Sequence, residues 1–517
     1  ANTYTITNPT AATGTVTGGG GTITYTYYRV TLSNPFGTTN GSANVIVTHA
    51  NHGASAGDFV TISNATAVAG LTLNGEFQIT SVSTNTYSIT APSNANATTT
   101  GGGSPQFQYD ISGGPSDTVV GFGYGTGGYG GGGYGTMGST GITFLARVWS
   151  LAHYGQQLLA SPTGGTIYVW DPVIGGRAYP LYNAPAQVLA MFITPERFVV
   201  ALGINGNAMQ LAWADQNDYT VWTSTPTNTA NTGRTLQSGA FFVGGIAARD
   251  GVILILSNTA CISMTYTGDN NVYATQTVGD GSELAGPLAI AVIGGIAYWM
   301  GLSEFWTWNG SVTPLPSDDI RDYVFQNINL GQSQKFVAGS NRSKKEVFFF
   351  YCSASSNEID RYVIYHIDQG CWSIGSLQRT SWADLGLLAN PMATDASGFI
   401  YDHETGTDAA GSAMDSYVVL SPQDISKGAQ IMEYFALYPD FERVVGDTTF
   451  SLLTQTYPMD AESIDGPYTI APDGSTSRID LRNSAKLIGF KLESNVVGGD
   501  WRLGLPRIEA QPGGARR

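Results

Sequence analysis

The chain has 517 residues, long enough for two to four domains, and 42% of them are hydrophobic, which is material for real cores. Only 12% are charged while 66 are glycine, a texture that describes extracellular or virion β-structure better than a cytosolic enzyme. With 23 basic and 39 acidic side chains the net charge is −16, which argues against a surface that grips phosphates by counterion release but not against a smooth acidic tunnel through which DNA slides.

Three cysteines, Cys261, Cys352 and Cys371, form no CxxC pair, so neither a zinc site nor a disulfide framework is expected. All three are expected as buried small apolar residues. No run of about 18 apolar residues is present, so no transmembrane helix is expected. The start, ANTYTITNPT, has neither a basic nor an apolar leader region, so no signal peptide is expected.

Residues 1–43 form a Thr/Gly/Asn-rich arm, within which Thr22–Leu32 (TITYTYYRVTL) reads as a strand. From Asn44 the residues Val45, Val47 and His49 alternate with Ile46 and Thr48. Turns at Gly57-Asp58 and Asn74-Gly75 lead into Phe59–Ile62 and Glu76–Val82, and Thr86–Thr90 closes the set. Residues 44–100 are therefore read as a small β module. His49 and His52 lie three apart, but no third or fourth ligand is near in sequence, so they read as a turn pair rather than a metal site.

Residues 101–141 are a linker. Its run Gly121–Gly138 beats as GGYG, which resists regular structure because ordering glycine costs the most entropy. Tyr124, Tyr129 and Tyr134 are expected at a subunit contact or on the rim of the body. The same run is no nucleotide loop, because no strand-loop-helix context surrounds it. Up to residue 145 the only charges are Arg29, Asp58, Glu76, Asp110 and Asp117. The remaining −13 belongs to residues 146–517.

From 142 to 420, β-rich units succeed one another at roughly 35–50 residues, the period of propeller blades. They are Arg147–Leu181, Val188–Trp222, Gly239–Thr277, Pro287–Pro316, Phe336–Leu377 and Trp382–Val419, which predicts about six blades. Apolar runs at Val252–Leu256, Leu288–Ile293 and Val347–Tyr351 are expected as inner strands. Aromatic segments at Tyr168–Trp170, Trp306–Trp308, Tyr365–His366 and Phe399–His403 are expected further out. The clearest unit is Gly295–Pro316. There Ile296–Met300 and Phe305–Trp308 pair, with a tight connection at Gly301–Ser303. Asn309-Gly310 supplies two positions that accept φ > 0. On the second strand Phe305 and Thr307 face one way and Trp306 and Trp308 the other. The indoles of Trp299, Trp306 and Trp308 suggest either a stacking surface for a sugar or base, or packing between blades. The repeat favours packing. The best helix is Ser317–Asn327, with Ser317 as N-cap and Ile320, Val324 and Phe325 on one face.

Residues 421–517 read as a C-terminal β segment, either a sandwich or a closing blade. Arg502, Arg507, Arg516 and Arg517 make its end basic and available to acidic groups of a neighbouring subunit.

The reading is all-β throughout, and no catalytic constellation emerges. GxSxG, HExxH and P-loop patterns are absent. Asp402-His403-Glu404 are adjacent, so their side chains diverge, and they read as a surface turn. Asp250, Asp269 and Asp395 sit at turns and could bind calcium, but none has EF-hand spacing. The sequons at Asn40 and Asn309 are hairpin turns. No catalytic, cofactor or metal residue is assigned, and no enzyme activity is expected.

The order strand, HxxHGxxxGD, strand, LNG, strand over Asn44–Thr90 resembles the FCCH-type small barrel inserted in many phage tail proteins. The end, WRLGLPRIEAQPGGARR, resembles the rLG...pGGrR finish of phage tail propellers. Taken with the blade repeat, the chain resembles the tail nozzle or tail-hub proteins of short-tailed bacteriophages, which stabilise packaged DNA. The resemblance implies a virion protein in a homohexameric ring below the portal-adaptor. That ring extends the DNA channel, lets double-stranded DNA pass without sequence-specific contact, and docks fibre, spike or needle proteins. The alternatives are a tail-associated receptor-binding protein and a polysaccharide-degrading one.

Overall fold

The computed structural model describes residues 30–50, 52, 54, 56–110, 115–121, 142–173, 178–181, 183–249, 251–269, 271–384, 389–425 and 430–513. Residues 22–29 of the first expected strand, Tyr124, Tyr129 and Tyr134 with most of their run, Asp250, Arg516 and Arg517 lie outside the described residues. The described chain is all-β apart from one α-helix and one 3-10 helix. It forms two compact units, Ala1–Asp384 with Ala393–Ile400, and Leu385–Met392 with Tyr401–Arg517.

The small module is larger than residues 44–100. Its eight strands span Val30–Thr31 to Gln106–Asp110. Both flanks expected as arm and linker are built into it. Val30 pairs with Phe107 at one end of the sheet order, and Phe36 pairs with Gly101 at the other. Between them Leu32 N–H donates to Pro105 O at 3.1 Å and Asn34 N–H to Gly103 O at 2.7 Å. The two ends of the sheet are thus halves of one ladder, and the sheet curls shut on itself. Its core holds Phe36, Val45, Val47, Val60, Ile62, Leu73, Tyr87, Ile89 and Phe107. The wider bounds have a simple physical cause. An uncovered sheet edge leaves backbone N–H and C=O groups unpaired, and the residues that pair these edges come from far along the chain.

The body is a β-propeller built of consecutive four-stranded antiparallel sheets. Blade one runs from Trp149–Tyr154 to Tyr179–Pro180, blade two from Ala190–Ile193 to Asn231–Thr235, and blade three from Phe242–Arg249 to Tyr273–Asp280. Blade four runs from Ile290–Ile293 to Val312–Pro314 and blade five from Val337–Asn341 to Cys371–Gly375. A sixth sheet has three strands, Ser381–Ala383, Met392–Thr394 and Ile400–Asp402, and the division between the units falls within it. In every blade the strand order is the chain order. The first strands of successive blades are neighbours, and Leu288 forms a parallel bridge to Val337.

The axial strands are therefore the first strands, which corrects two of the three expected inner runs. Val252–Ser257 and Glu346–Tyr351 are second strands, buried along nearly their whole length because blades cover both faces. Among the expected runs only Leu288–Ile293 is axial. First strands favour small residues where an aromatic of the adjacent blade lies on their backbone. A methyl added at Gly245 would overlap the Phe192 ring, and one at Gly339 would overlap the Trp382 indole.

The second unit has a four-stranded sheet and a three-stranded sheet around one core of Tyr434, Leu437, Phe450, Leu452, Ile470, Leu481, Ile488 and Leu492. A further two-stranded sheet pairs Phe441–Val445 with Asp500–Leu503. The expected boundary at 420 cuts the strand Ser416–Asp424. That strand belongs to this unit, because it pairs with Leu487–Ser494.

Candidate functional site

The aromatic hairpin of blade four is the strongest candidate from sequence. Trp299 stands opposite Trp306, and Ala297 opposite Trp308. Opposed residues of a pair share a face, as do residues two apart, so all three indoles lie on one side of the blade. Trp299 is 0% exposed and Trp308 4%. The Arg249 guanidinium of blade three lies 4.5 Å from the Trp308 ring centre and donates to Asn309 Oδ1 at 3.3 Å. Val312, opposite Trp308, packs against Gly279 of blade three. The other side of the blade meets blade five. The Phe305 ring lies 5.0 Å from Phe349, 4.7 Å from Trp372 and 5.2 Å from Phe325. Trp306 is half-buried against the same core, so the three indoles serve as packing rather than as an open stacking surface. Among the described residues their buried N–H groups find no acceptor, so this face contributes through apolar contact.

The turns of this hairpin differ in detail from expectation. Only Gly310 of the Asn309-Gly310 pair has positive φ, at 95°, because the strands end at Trp308 and resume at Val312, leaving three residues to turn. Gly301 is needed for space: a methyl there would lie 2.9 Å from Trp306 Nε1 and 3.0 Å from Glu304 O. The helix runs Asp318–Phe325 with Ser317 at its N-cap position. Ser317 Oγ donates to Glu304 at 2.5 Å instead of capping the helix. Ile320 and Val324 are buried and Phe325 packs on Phe305, as the spacing predicts.

In the small module His49 and His52 meet two tyrosines. Tyr109 Oη lies 2.5 Å from His49 Nδ1 and 3.1 Å from Tyr87 Oη. His52 Nε2 donates to Ser83 O at 2.8 Å, and His52 Nδ1 accepts the Ala54 N–H at 3.1 Å. Those two bonds fix His52 as the neutral Nε2–H tautomer and occupy both its nitrogens. Burial, with His52 beside it, lowers the His49 pKa to about 4. Burial raises both Tyr87 and Tyr109, with Tyr87 raised further by Tyr109 beside it. The cluster is a neutral hydrogen-bonded plug. Tyr109 was missed from sequence because it lies in the stretch read as linker. The alternation in QFQYD (106–110) was the available signal.

The other singled-out residues do not converge. Asp269 accepts the Thr267 hydroxyl and the Asn271 N–H, and Asp395 accepts the Ser397 and Phe399 N–H groups, so each carboxylate closes its own turn. Asp402 and Glu404 are exposed, and Glu404 has φ 62°. Cys261 and Cys352 are buried, and burial pushes both thiols up to about 12. Cys371 is exposed, against expectation, at the start of the outer fourth strand of blade five. Arg502 pairs within the chain, with Glu442 at 3.0 Å, and both side chains are largely exposed. Among the described residues no group of three or more His, Cys, Asp or Glu is placed to hold a metal ion. No helix among them is long and apolar enough to cross a membrane.

No protein-family model matches the chain, and no curated protein does. Among solved structures it is similar to streptogramin B lyase at 10% identity, over 50% of this chain and 83% of that one, with a TM-score of 0.32. It is also similar to a protein of unknown function from Bacteroides thetaiotaomicron at 11% identity, over 73% and 98%, with a TM-score of 0.30. A computationally designed protein aligns at 12% identity over 49% and 70%, with a TM-score of 0.27. Likenesses this distant carry no argument about activity.

Proposed function

We propose that this protein is a structural component of a short-tailed phage virion, the tail nozzle or hub, acting as a homohexameric ring below the portal-adaptor. The observation that carries this reading is the order of parts: a small curled barrel, a propeller and a C-terminal β unit, finished by the LG...GGAR tail. The ring extends the DNA channel, retains the genome and guides its ejection, while its sides dock fibre, spike or needle proteins. An excess of acidic over basic side chains suits such a lumen, because like charge keeps the phosphate backbone from adhering. The exposed apolar strand Ser416–Asp424, with Tyr417, Val418, Val419 and Leu420 uncovered, supports a role in assembly rather than as a free monomer.

Native mass measurement of the purified protein tests the reading. A six-fold ring is expected, and a trimer or a monomer overturns it. Particles assembled without the protein are expected to lose their genomes, and full, tailed particles would equally overturn it.

A further inference from the structure

Residues 115–121 lie between the small module and the first blade, a stretch the sequence reads as a loose linker. They are held from two sides. On one side Arg147 N–H donates to Pro115 O at 2.9 Å, and Ala146 N–H donates to Thr118 Oγ1 at 3.0 Å. Val119–Gly121 then pairs with Ile142–Phe144. On the other side stands the 3-10 helix Leu330–Lys335. Thr118 N–H donates to Gln332 Oε1 at 2.9 Å, and Gln332 Nε2 donates to Thr118 O at 3.0 Å. One carboxamide thus satisfies both backbone groups of a residue 214 positions away, as a neighbouring strand would. Gln332 is 4% exposed, and its φ of −104° and ψ of 18° break the helix locally.

Lys335 supplies the charge. Its ammonium donates to Asp117 Oδ1 at 2.7 Å, Glu358 Oε1 at 2.5 Å and Asn357 O at 2.8 Å, which uses all three protons. The Lys335 side chain is only 11% exposed. Burial opposes its charge, but the two carboxylates outweigh that and hold the amine above its ordinary range.

The two anchors share a place in the fold. Residues 146–147 lead into Trp149–Tyr154, the axial strand of blade one, and Leu330–Lys335 leads into Val337–Asn341, the axial strand of blade five. We propose that residues 115–118 are a strap tying the lead-in of blade one to that of blade five at the axial end of the propeller, with Gln332 and Lys335 as its lock. Joining segments this far apart in sequence restrains opening of the fan, because each end no longer samples independent positions. Residues 115–118 are therefore fastened to the body, whether or not the protein serves as a nozzle.

Hydrogen exchange on the full chain tests the strap. In the natural protein, amides at 115–121 and in blade one (Trp149–Pro162) are expected to be protected. Lys335→Met is expected to speed exchange at both about five-fold or more, leaving Val252–Ser257 of blade three unchanged. Unchanged rates at 115–121 and blade one overturn the proposal. Equal acceleration everywhere also overturns it, since Lys335 would then be general core support. If Lys335→Met does not fold, Asp117→Asn leaves the lysine its other two acceptors. It should give the same local pattern at lower amplitude, and no change at 115–121 overturns the strap.

Discussion

The propeller body and the small N-terminal module are both antiparallel β-structure, yet they are stabilised by different kinds of contact. In the body each blade pairs strands in chain order, and stability comes from aromatic faces pressed between blades, as with Trp299, Trp308 and Phe305. The module pairs its strands out of order. It closes by joining residues near 30–38 to residues near 99–107, and it buries a polar plug of His49, Tyr87 and Tyr109. A repeated local unit depends on each interface with its neighbours being filled. A closed barrel depends on its long-range seam and on keeping buried polar groups satisfied.

The contrast predicts where each region breaks. Trp299→Ala should have the largest effect, costing about 3–5 kcal/mol, because a fully buried indole leaves a cavity between blades three and four. All ten tryptophans lie after residue 148, so indole fluorescence during denaturant unfolding reports this loss while exchange at 44–90 reports the module. Equal destabilisation of the module would erase the distinction. Gly339→Ala should cost about 1–3 kcal/mol by driving a methyl into the Trp382 indole, read in the same unfolding curves.

Acid should separate the regions in the other direction. The folded-state pKa of His49, about 4, lies below the ordinary 6.5, so between these values the unfolded chain binds more protons. His49 therefore supports folding above pH 6.5, and that support fades as pH falls toward 4. Exchange protection at 44–90 should weaken across this window while blade three holds, and His49→Gln should flatten the dependence. A module that is indifferent to pH from 6.5 to 4 would show that the plug does not matter to it. Smaller still, Arg249→Ala should cost about 0.5–1 kcal/mol through its contact with Trp308. Arg502→Ala, an exposed pair, should fall within error of the natural protein in the same melts.

Legibility followed the same divide. The blade repeat was visible because each blade is local: Ile296–Met300 and Phe305–Trp308 carry their own pairing partner a few residues away. Facing of Trp306 and Trp308 away from Phe305 and Thr307 came from the two-residue period alone. By contrast, Tyr109 gave no sign of meeting His49, sixty residues earlier, and Gln332 gave none of holding Thr118. Burial misled in one respect. The most apolar runs, Val252–Leu256 and Val347–Tyr351, were expected on the axis but are second strands, and burial along a run does not by itself mark an axial strand, since Val337–Asn341 on the axis is just as buried.

The all-β class, the spacing of the blades, the alternation within strands and the helix at Asp318–Phe325 could be read from the chain alone, since all of these depend on residues close in the chain. It took the tertiary fold to settle which strands face the axis, where the module begins and ends, that residues 115–118 are fastened rather than free, and that Trp299 and Trp308 are buried between blades. Those outcomes depend on which distant segments cover an edge or a face. That choice is made by the free energy of burying surface against a particular partner, which no local pattern records.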